Sequence, residues 1–275
     1  MTVTSLVENH SYREDCGCIH GLALDIVTPL HHILFDMGPN SLLLENAEVL
    51  EIDLSTVDVA FLSHGHYDHG GGLEPFCRRN SRAEILVSPH AFEGHFAREG
   101  EDYLDVGLED RLARKLSGRL RCFAGQLDQE LYVFDQVPER NYLTEASSTL
   151  LERGAEGTYI PDRFLHEQNL IVAAEGQTVL FAGCAHRGIV NILRAAELLT
   201  GREMDWVFSG FHLTNPGLGI DEPRELVEAV GRELLARKKT RYVTGHCTGD
   251  GPYAILREML GERLDLMATG RVFAL

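Results

Sequence analysis

Residues 61–73 read FLSHGHYDHGGGL and hold His64, His66, Asp68 and His69 within six positions. Imidazole is the commonest nitrogen ligand for zinc, and carboxylate oxygen is accepted beside it. His64 and His66 are two apart and point the same way on a tight extended turn, so they can share one ion. Asp68 and His69 lie further along the turn and can serve a second ion a few Å away. Gly70, Gly71 and Gly72 let the chain turn sharply with no Cβ in the way. A structural zinc finger pairs cysteines at short spacing, and that pairing is absent here. The chemistry on offer is hydrolytic. A metal ion held by three protein ligands lowers the pKa of bound water from about 15.7 to about 7, giving a hydroxide nucleophile, and polarises a phosphoryl or carbonyl oxygen as a Lewis acid. Asp68 can both ligate and orient the nucleophile, which makes it a catalytic candidate.

Other histidines follow a pattern. VAFLSH ends at His64, VLFAGCAH at His186, WVFSGFH at His212, YVTGH at His246 and ILVSPH at His90. Each strand-like run delivers an imidazole at or just past its C-terminal end. A packed sheet brings neighbouring strand ends together, so these residues can meet on one rim. His212 stands between a catalytic or substrate contact and a group supporting the ligands. Arg187 follows His186 at the start of a helical pattern, where a guanidinium beside a helix N-terminus suits a phosphate or carboxylate. Thr248, in HCTGDG, offers a hydroxyl to the same kind of substrate. His31 and His32 flank a strand and read as structural. His90 and His95 read as structural or pocket-lining. CGCIHG (16–21) has one Cys-x-Cys pair, a weak metal signal by itself.

The elements that must position these groups are short apolar runs read as buried strands: 22–27, 32–38, 58–63, 83–88, 131–137, 169–174, 178–183, 205–210, 241–245 and 266–274. Three- and four-residue apolar spacing predicts helices over 188–199, 222–239 and 251–260. The first half is rich in strands and the second alternates strand and helix. That order predicts an α/β fold of two sheets with helices outside, in one domain over 1–275. Residues 89–157 are highly charged and read as an irregular segment covering the active-site end.

Lys and Arg number 25 against 42 Asp and Glu, a formal charge of −17. Nucleic acid and anionic membrane both call for a basic footprint, so neither is expected as a partner. A small anionic substrate remains compatible, because bound metal ions reverse the field locally. No apolar run reaches the ~18 residues of a membrane span, and the N-terminus does not read as a signal peptide. The six cysteines form no secreted framework. A cytoplasmic protein with reduced thiols is expected.

HGHYDH after an apolar strand resembles the signature of the metallo-β-lactamase superfamily. The resemblance implies an αββα sandwich, two mixed sheets with helices on the outer faces and a one- or two-metal centre at the edge. ILFDMG resembles the strand carrying that superfamily's supporting aspartate, here Asp36. FLSHGHYDHGGGL, HEQNL, GCAHRGIVNIL, SGFHL and TGHCTG occur in this order and cover almost the whole chain. Together they resemble the branch named for an archaeal enzyme of methanopterin synthesis, which joins a dihydropterin to a ribofuranosyl-aminobenzene phosphate. His246 matches the last superfamily ligand and should join Asp68 and His69. His166 falls roughly at the middle histidine, as ligand or support. Where the superfamily usually carries a bridging aspartate, this chain reads Gly183-Cys184-Ala185-His186. A Cys184 thiolate could ligate zinc or iron; His186 is favoured, with Cys184 packed behind the metals. The expected ligand set is His64, His66, Asp68, His69, His186 and His246 around two zinc ions, with iron or manganese also compatible. The expected function is a metal-dependent hydrolase or transferase acting on a small anionic, phosphorylated or pterin-like molecule. One rival is a diiron redox protein, but that class carries a glutamate where this chain has His66. The other is a binding protein that kept the fold and lost turnover.

Overall fold

A computed structural model describes residues 1–215 and 217–275. Two seven-stranded sheets face each other. The first runs, edge to edge, Val272–Ala274, Thr2–Val7, Ala23–Val27, His32–Phe35, Val59–Phe61, Glu84–Leu86 and Leu120–Arg121. It is antiparallel up to His32–Phe35 and parallel beyond. The second runs Leu264–Leu266, Arg241–Thr244, Trp206–Phe208, Gln177–Phe181, Asn169–Ala174, Leu131–Phe134 and Gly125–Gln126. Its first four strands are parallel and the rest antiparallel. Both sheets are therefore mixed, as expected.

Side chains alternate across each strand, which sorts them into layers. Phe35, Phe61, Phe181 and Phe208 point between the sheets, where Phe35 stacks on Phe61 at 5.2 Å and Phe181 on Phe208 at 5.2 Å. Their neighbours Leu34 and Ala60 point outward, against Leu43 and Ala47 of helix Leu42–Val49 and Phe76 of helix Leu73–Arg79. On the other sheet Leu180, Val207 and Tyr242 meet helices Ile189–Thr200, Arg224–Ala236 and Asp250–Leu260. The layer order is helix, sheet, sheet, helix. No helix among the described residues is long and apolar enough to cross a membrane.

Three expectations differ from the structure. The run 266–274 is two strands, Leu264–Leu266 in the second sheet and Val272–Ala274 in the first. The chain crosses between sheets at a turn where Gly270 takes φ +82°, a region glycine enters without Cβ strain. Thr2–Val7 is a strand that Thr and Ser disguised by breaking its apolar run. Residues 89–157 are not irregular. They supply His95–Glu99, Asp102–Asp105 and Leu150–Arg153 to a four-stranded sheet completed by Tyr159–Pro161. Every position of Asp102–Asp105 is exposed, so the strand carries no period-two apolar signal.

Candidate metal centre

Parallel register carries the strand ends to one edge. Phe35 pairs with Phe61 and Phe61 with Leu86 in the first sheet. Phe181 pairs with Phe208 and Phe208 with Val243 in the second. The segments after Phe61, Phe181, Phe208 and Thr244 therefore emerge side by side. They are in van der Waals contact: a Cβ on Gly183 would stand 2.2 Å from Ser63 Oγ. Asp36, Ala185, His212 and His246 all adopt φ between +47° and +57° here. Left-handed backbone at non-glycine residues costs of order 1–3 kcal/mol each and collects at functional sites.

The ligand-type atoms form three adjoining groups. Asp68, His69, Cys184 and His246 place one donor atom each within 4.8 Å of one another. His69 Nε2 lies 3.1 Å from His246 Nε2 and 3.1 Å from Cys184 Sγ, and Asp68 Oδ2 lies 3.2 Å from His246 Nε2. Four ligands on a tetrahedron with bonds of about 2.0–2.3 Å sit roughly 3.3–3.8 Å apart, close to this spacing. The second group is His64, Cys184 and His186, with 3.3 Å between His64 Nε2 and His186 Nε2. Cys184 belongs to both groups, so it stands between them and not behind them. The third is His66, Asp162 and His166. The rings of His64 and His66 are 4.7 Å apart, and those of His66 and His186 4.9 Å.

Proton positions follow from the partners. His69 Nδ1 lies 2.6 Å from Asp36 Oδ2 and must donate to that carboxylate. Ser63 Oγ donates to Asp36 Oδ2, so it accepts from His64 Nδ1 at 2.8 Å. His246 Nδ1 donates to Asn9 Oδ1 at 3.2 Å. In their neutral forms His64, His69 and His246 thus present bare Nε2 lone pairs inward. Lone pairs facing each other at about 3 Å repel unless a cation lies between them, so the donor set fits a divalent metal. Asp36 orients two of these imidazoles, one directly and one through Ser63, as outer partners of ligating histidines do. Three further buried ring nitrogens, His66 Nε2, His166 Nε2 and His186 Nδ1, have no hydrogen-bond partner among the described residues.

Electrostatics separate the imidazoles: burial opposes protonation of His69, but Asp36 and Asp68 outweigh it and raise its pKa, while the other rim histidines go down. Burial, then mutual repulsion, pushes the imidazoles of His64 and His186 well below their ordinary pKa. Burial carries His246 down to about 3 and His212 to about 4. They are neutral at pH 7, the form that binds metal. Burial opposes ionisation of Asp68, but His69, His20 and His246 outweigh it and hold the carboxyl well below the usual range. Burial beside Cys247 raises the Cys184 thiol well above its usual value; a coordinated ion would deprotonate it.

Not every expected residue joins the site. Arg187 does not reach the pocket: one guanidinium nitrogen donates to the Asp135 carbonyl at 2.6 Å, and its backbone N–H is held by Glu167. Thr248 is fully buried, its hydroxyl accepting from Phe211 N and contacting Thr244 Oγ1. His90 turns outward to Glu93. His166 accepts the Gly65 N–H on Nδ1 at 2.9 Å, so its proton sits on Nε2, 3.3 Å from Asp162. In that form it supports the rim and offers no lone pair to an ion. His95 also bonds Asp162, at 3.2 Å. Ser63, Asn9 and Asp162 carried no sequence signal, and His20 only the weak one of a histidine beside a Cys-x-Cys pair, because their roles arise from contacts with distant parts of the chain.

A cavity of about 400 Å³ opens over the rim, within the range of small-molecule sites. His20, Asp68, Cys184, His186, His212 and His246 form its polar floor. Leu104, Val106, Ala146 and Leu150 line its apolar side, and Arg98 of the four-stranded sheet adds a cation.

The comparisons agree with this geometry. The model of the Metallo-beta-lactamase superfamily matches residues 26–246. A 7,8-dihydropterin-6-methyl-4-(beta-D-ribofuranosyl)-aminobenzene-5'-phosphate synthase of Methanocaldococcus jannaschii is 26% identical over 285 aligned positions, spanning 98% of this chain and 95% of its own. An uncharacterized protein of the same archaeon is 29% identical over 210 positions, 76% of this chain and 78% of its own. The crystal structure of Tm1679, a metal-dependent hydrolase of the beta-lactamase superfamily, superposes with a TM-score of 0.83 at 22% identity, covering 100% of this chain and 99% of that one. Zn(2+)-bound PqqB from Methylobacterium extorquens shares the fold at TM-score 0.56 and 12% identity over the whole of both chains. With the motif, the layered fold and the converging donors in agreement, this chain belongs to the metallo-beta-lactamase superfamily.

Proposed function

We propose that the protein is a two-metal hydrolase or transferase acting on a small anionic substrate, in one domain and a reducing, cytoplasmic setting. The observation that supports this most is the position of Cys184, whose sulfur is shared by Asp68, His69 and His246 on one side and by His64 and His186 on the other. His66 adds a buried, unpartnered nitrogen beside the second set. Zinc suits this mixed nitrogen, oxygen and sulfur set, and iron or manganese are accepted by its His and Asp members. Bound ions supply Lewis-acid polarisation of a substrate oxygen and a nucleophile at neutral pH.

The chain's own residues do the rest. Ser147 Oγ accepts from Thr144, donates to the His186 carbonyl and lies 3.2 Å from His212 Nδ1. Its proton is used on the carbonyl, so His212 must donate from Nδ1 and keep Nε2 as an acceptor. His212 therefore holds a substrate hydroxyl or amine proton at Nε2 on the pocket wall. Asp68, ionised by its imidazole neighbours, orients the attacking group. Arg98 takes the anionic end of the substrate in place of Arg187. The archaeal relative's name joins a dihydropterin to a phosphorylated riboside, and a flat ring with a phosphate is the substrate class we favour.

Elemental analysis after chelator-free purification should show about two transition-metal ions per chain. The loaded protein should turn over members of a panel of phosphodiesters, phosphate esters and lactones, or join ribofuranosyl-aminobenzene phosphate to a dihydropterin whose 6-methyl carbon carries a diphosphate, with diphosphate released as the new bond forms. Metal without turnover on either panel would favour a binding protein that kept the fold. No stoichiometric metal after reconstitution would refute the reading.

A further inference from the structure

We propose that His20 is a positioning residue that sets the Asp68 carboxylate for metal binding, an inference resting on Asp68 being a ligand. His20 comes from segment 16–21, whose Cys-x-Cys pair drew attention in the sequence. The cysteines are not what the fold uses: Cys18 is exposed and Cys16 packs away from the rim groups. The segment is pinned from several directions. Gly17 N–H donates to Asn46 Oδ1, while the buried Asn46 amide donates back to Gly17 O and to Leu6 O, at 2.7–2.9 Å. Ile19 N–H bonds Glu8 O at 3.0 Å. Leu22 N–H bonds Asp68 O at 3.2 Å, so the strand entry is tied to the backbone of Asp68 itself. Gly21 takes φ +151°, and a Cβ there would meet Asp68 O and Pro39 Cδ at 2.6 Å. Only glycine allows that approach.

The consequence is that His20 Nε2 reaches 3.3 Å from Asp68 Oδ2, with its ring 4.4 Å from that of His246. Among the described residues the side-chain partners of Asp68 are imidazoles: His20, His69 and His246. Their protons decide who holds whom. His69 commits its Nδ1 proton to Asp36 and His246 commits its own to Asn9, leaving bare lone pairs on both Nε2 atoms. Neither can donate to Asp68 while serving as a neutral ligand. His20 is the remaining donor. A carboxylate that shares a site with three other donor atoms must keep one oxygen aimed at the ion. His20 approaches the same Oδ2 that faces the His69 and His246 nitrogens, so a donor on a pinned loop holds that oxygen at the ligand group, as outer-shell partners of metal ligands do. His20 is also the wet member of the group, with its side chain 34% exposed against 0% for His69 and His246. Altering it therefore leaves the buried packing in place.

The test is a competitive chelator titration of the purified full-length protein with zinc and with cobalt. In His20→Ala one of the two metal equivalents should weaken by about 10–100-fold while the other stays at parental affinity. The cobalt ligand-field spectrum of the weakened site should shift. His20→Gln places an amide N–H near the position of Nε2 and should recover most of the affinity and the parental spectrum. His20→Asn, whose amide stops short of Asp68, should behave like alanine, and carries the comparison if the alanine variant does not fold. Two equivalents of parental affinity and spectrum in His20→Ala or His20→Asn would overturn the proposal. So would equal impairment in the asparagine and glutamine variants, because then ring packing on His246 and not proton donation is what matters. A parental protein that binds no metal would instead refute the two-metal reading on which the inference rests.

Discussion

At the start of strand His32–Phe35, His31 reaches Asp58 at 2.9 Å through Nδ1 and Asp128 at 2.8 Å through Nε2. His32 pairs with Asp25 at 2.6 Å. At the far end of the same parallel strands, His64 faces His186 and His69 faces His246, nitrogen to nitrogen. The residue type is the same and the surroundings are opposite. Burial works against protonation of His31, but Asp58 and Asp128 outweigh it and raise its pKa, so the two carboxylates favour the cationic ring between them. At the rim the carboxylate of Asp36 and the amide of Asn9 take the Nδ1 protons, and inward nitrogens are left to face one another. A histidine beside an acid is structural when both its nitrogens find acceptors. It is a metal ligand when its second nitrogen is aimed at other lone pairs.

The largest expected effect comes from removing the cation this comparison requires. Chelation should abolish activity and lower stability by about 4 kcal/mol per site at free metal 1,000 times the Kd. Calorimetry of the metal-loaded and stripped protein checks it. An unchanged midpoint would erase the distinction between the two ends.

Substitutions at the rim sharpen it. His186→Ala should lose one metal equivalent, and Cys184→Ser should weaken both, since the sulfur is common to the two groups. Cobalt-loaded protein should show intense sulfur-to-metal absorption that vanishes in Cys184→Ser. If that variant held both ions at parental affinity with no band to lose, Cys184 would revert to a packing role.

In the metal-free protein His212 and His246 should respond to pH oppositely to His31, while His69, raised by Asp36 and Asp68, shares the sign of His31. His212 and His246 titrate at about 4 and about 3 when folded and near 6.5 when unfolded. The unfolded chain then binds more protons, so stability falls as pH drops below about 6.5. The raised pKa of His31 has the other sign: its contribution is complete below about 6.5 and is lost as pH rises through its folded value. His31→Gln should cost about 1–3 kcal/mol at pH 6, the scale of charge-assisted hydrogen bonds, and less at pH 9. Denaturant midpoints across that range test it. A pH-independent cost would mean that His31 is not a cation.

The smallest effect is expected at His90, the strand-end histidine that did not join the rim. It is half-buried and paired with the exposed Glu93, and solvent-facing pairs contribute little. His90→Ala should change stability by less than about 0.5 kcal/mol and leave metal content untouched. Loss of an ion in this variant would show that the rim extends further than the donor groups described.

His64, His66, Asp68 and His69 were legible because ligand chemistry needs particular side chains at short spacing, and both are properties of a few consecutive residues. The apolar runs before them were legible for the same reason, since burial on both faces of a parallel strand leaves an unbroken apolar signature. The amphipathic helices appeared within one to three residues of their bounds. Arg187 and Thr248 look like anion ligands locally, and only packing revealed that Asp135 and Thr244 occupy them. Cys184 reads as a small core residue, and its place between two donor groups follows from how closely the sheets approach at Gly183. Ser63, Asn9 and Asp162 are ordinary in sequence and His20 stands only beside a weak Cys-x-Cys signal; each gains its role from a contact that closes through the tertiary structure. Sequence thus determined which atoms could bind a metal. Tertiary structure decided which of them meet and which nitrogen of each ring keeps its proton, because those outcomes depend on hydrogen bonds between segments far apart in the chain.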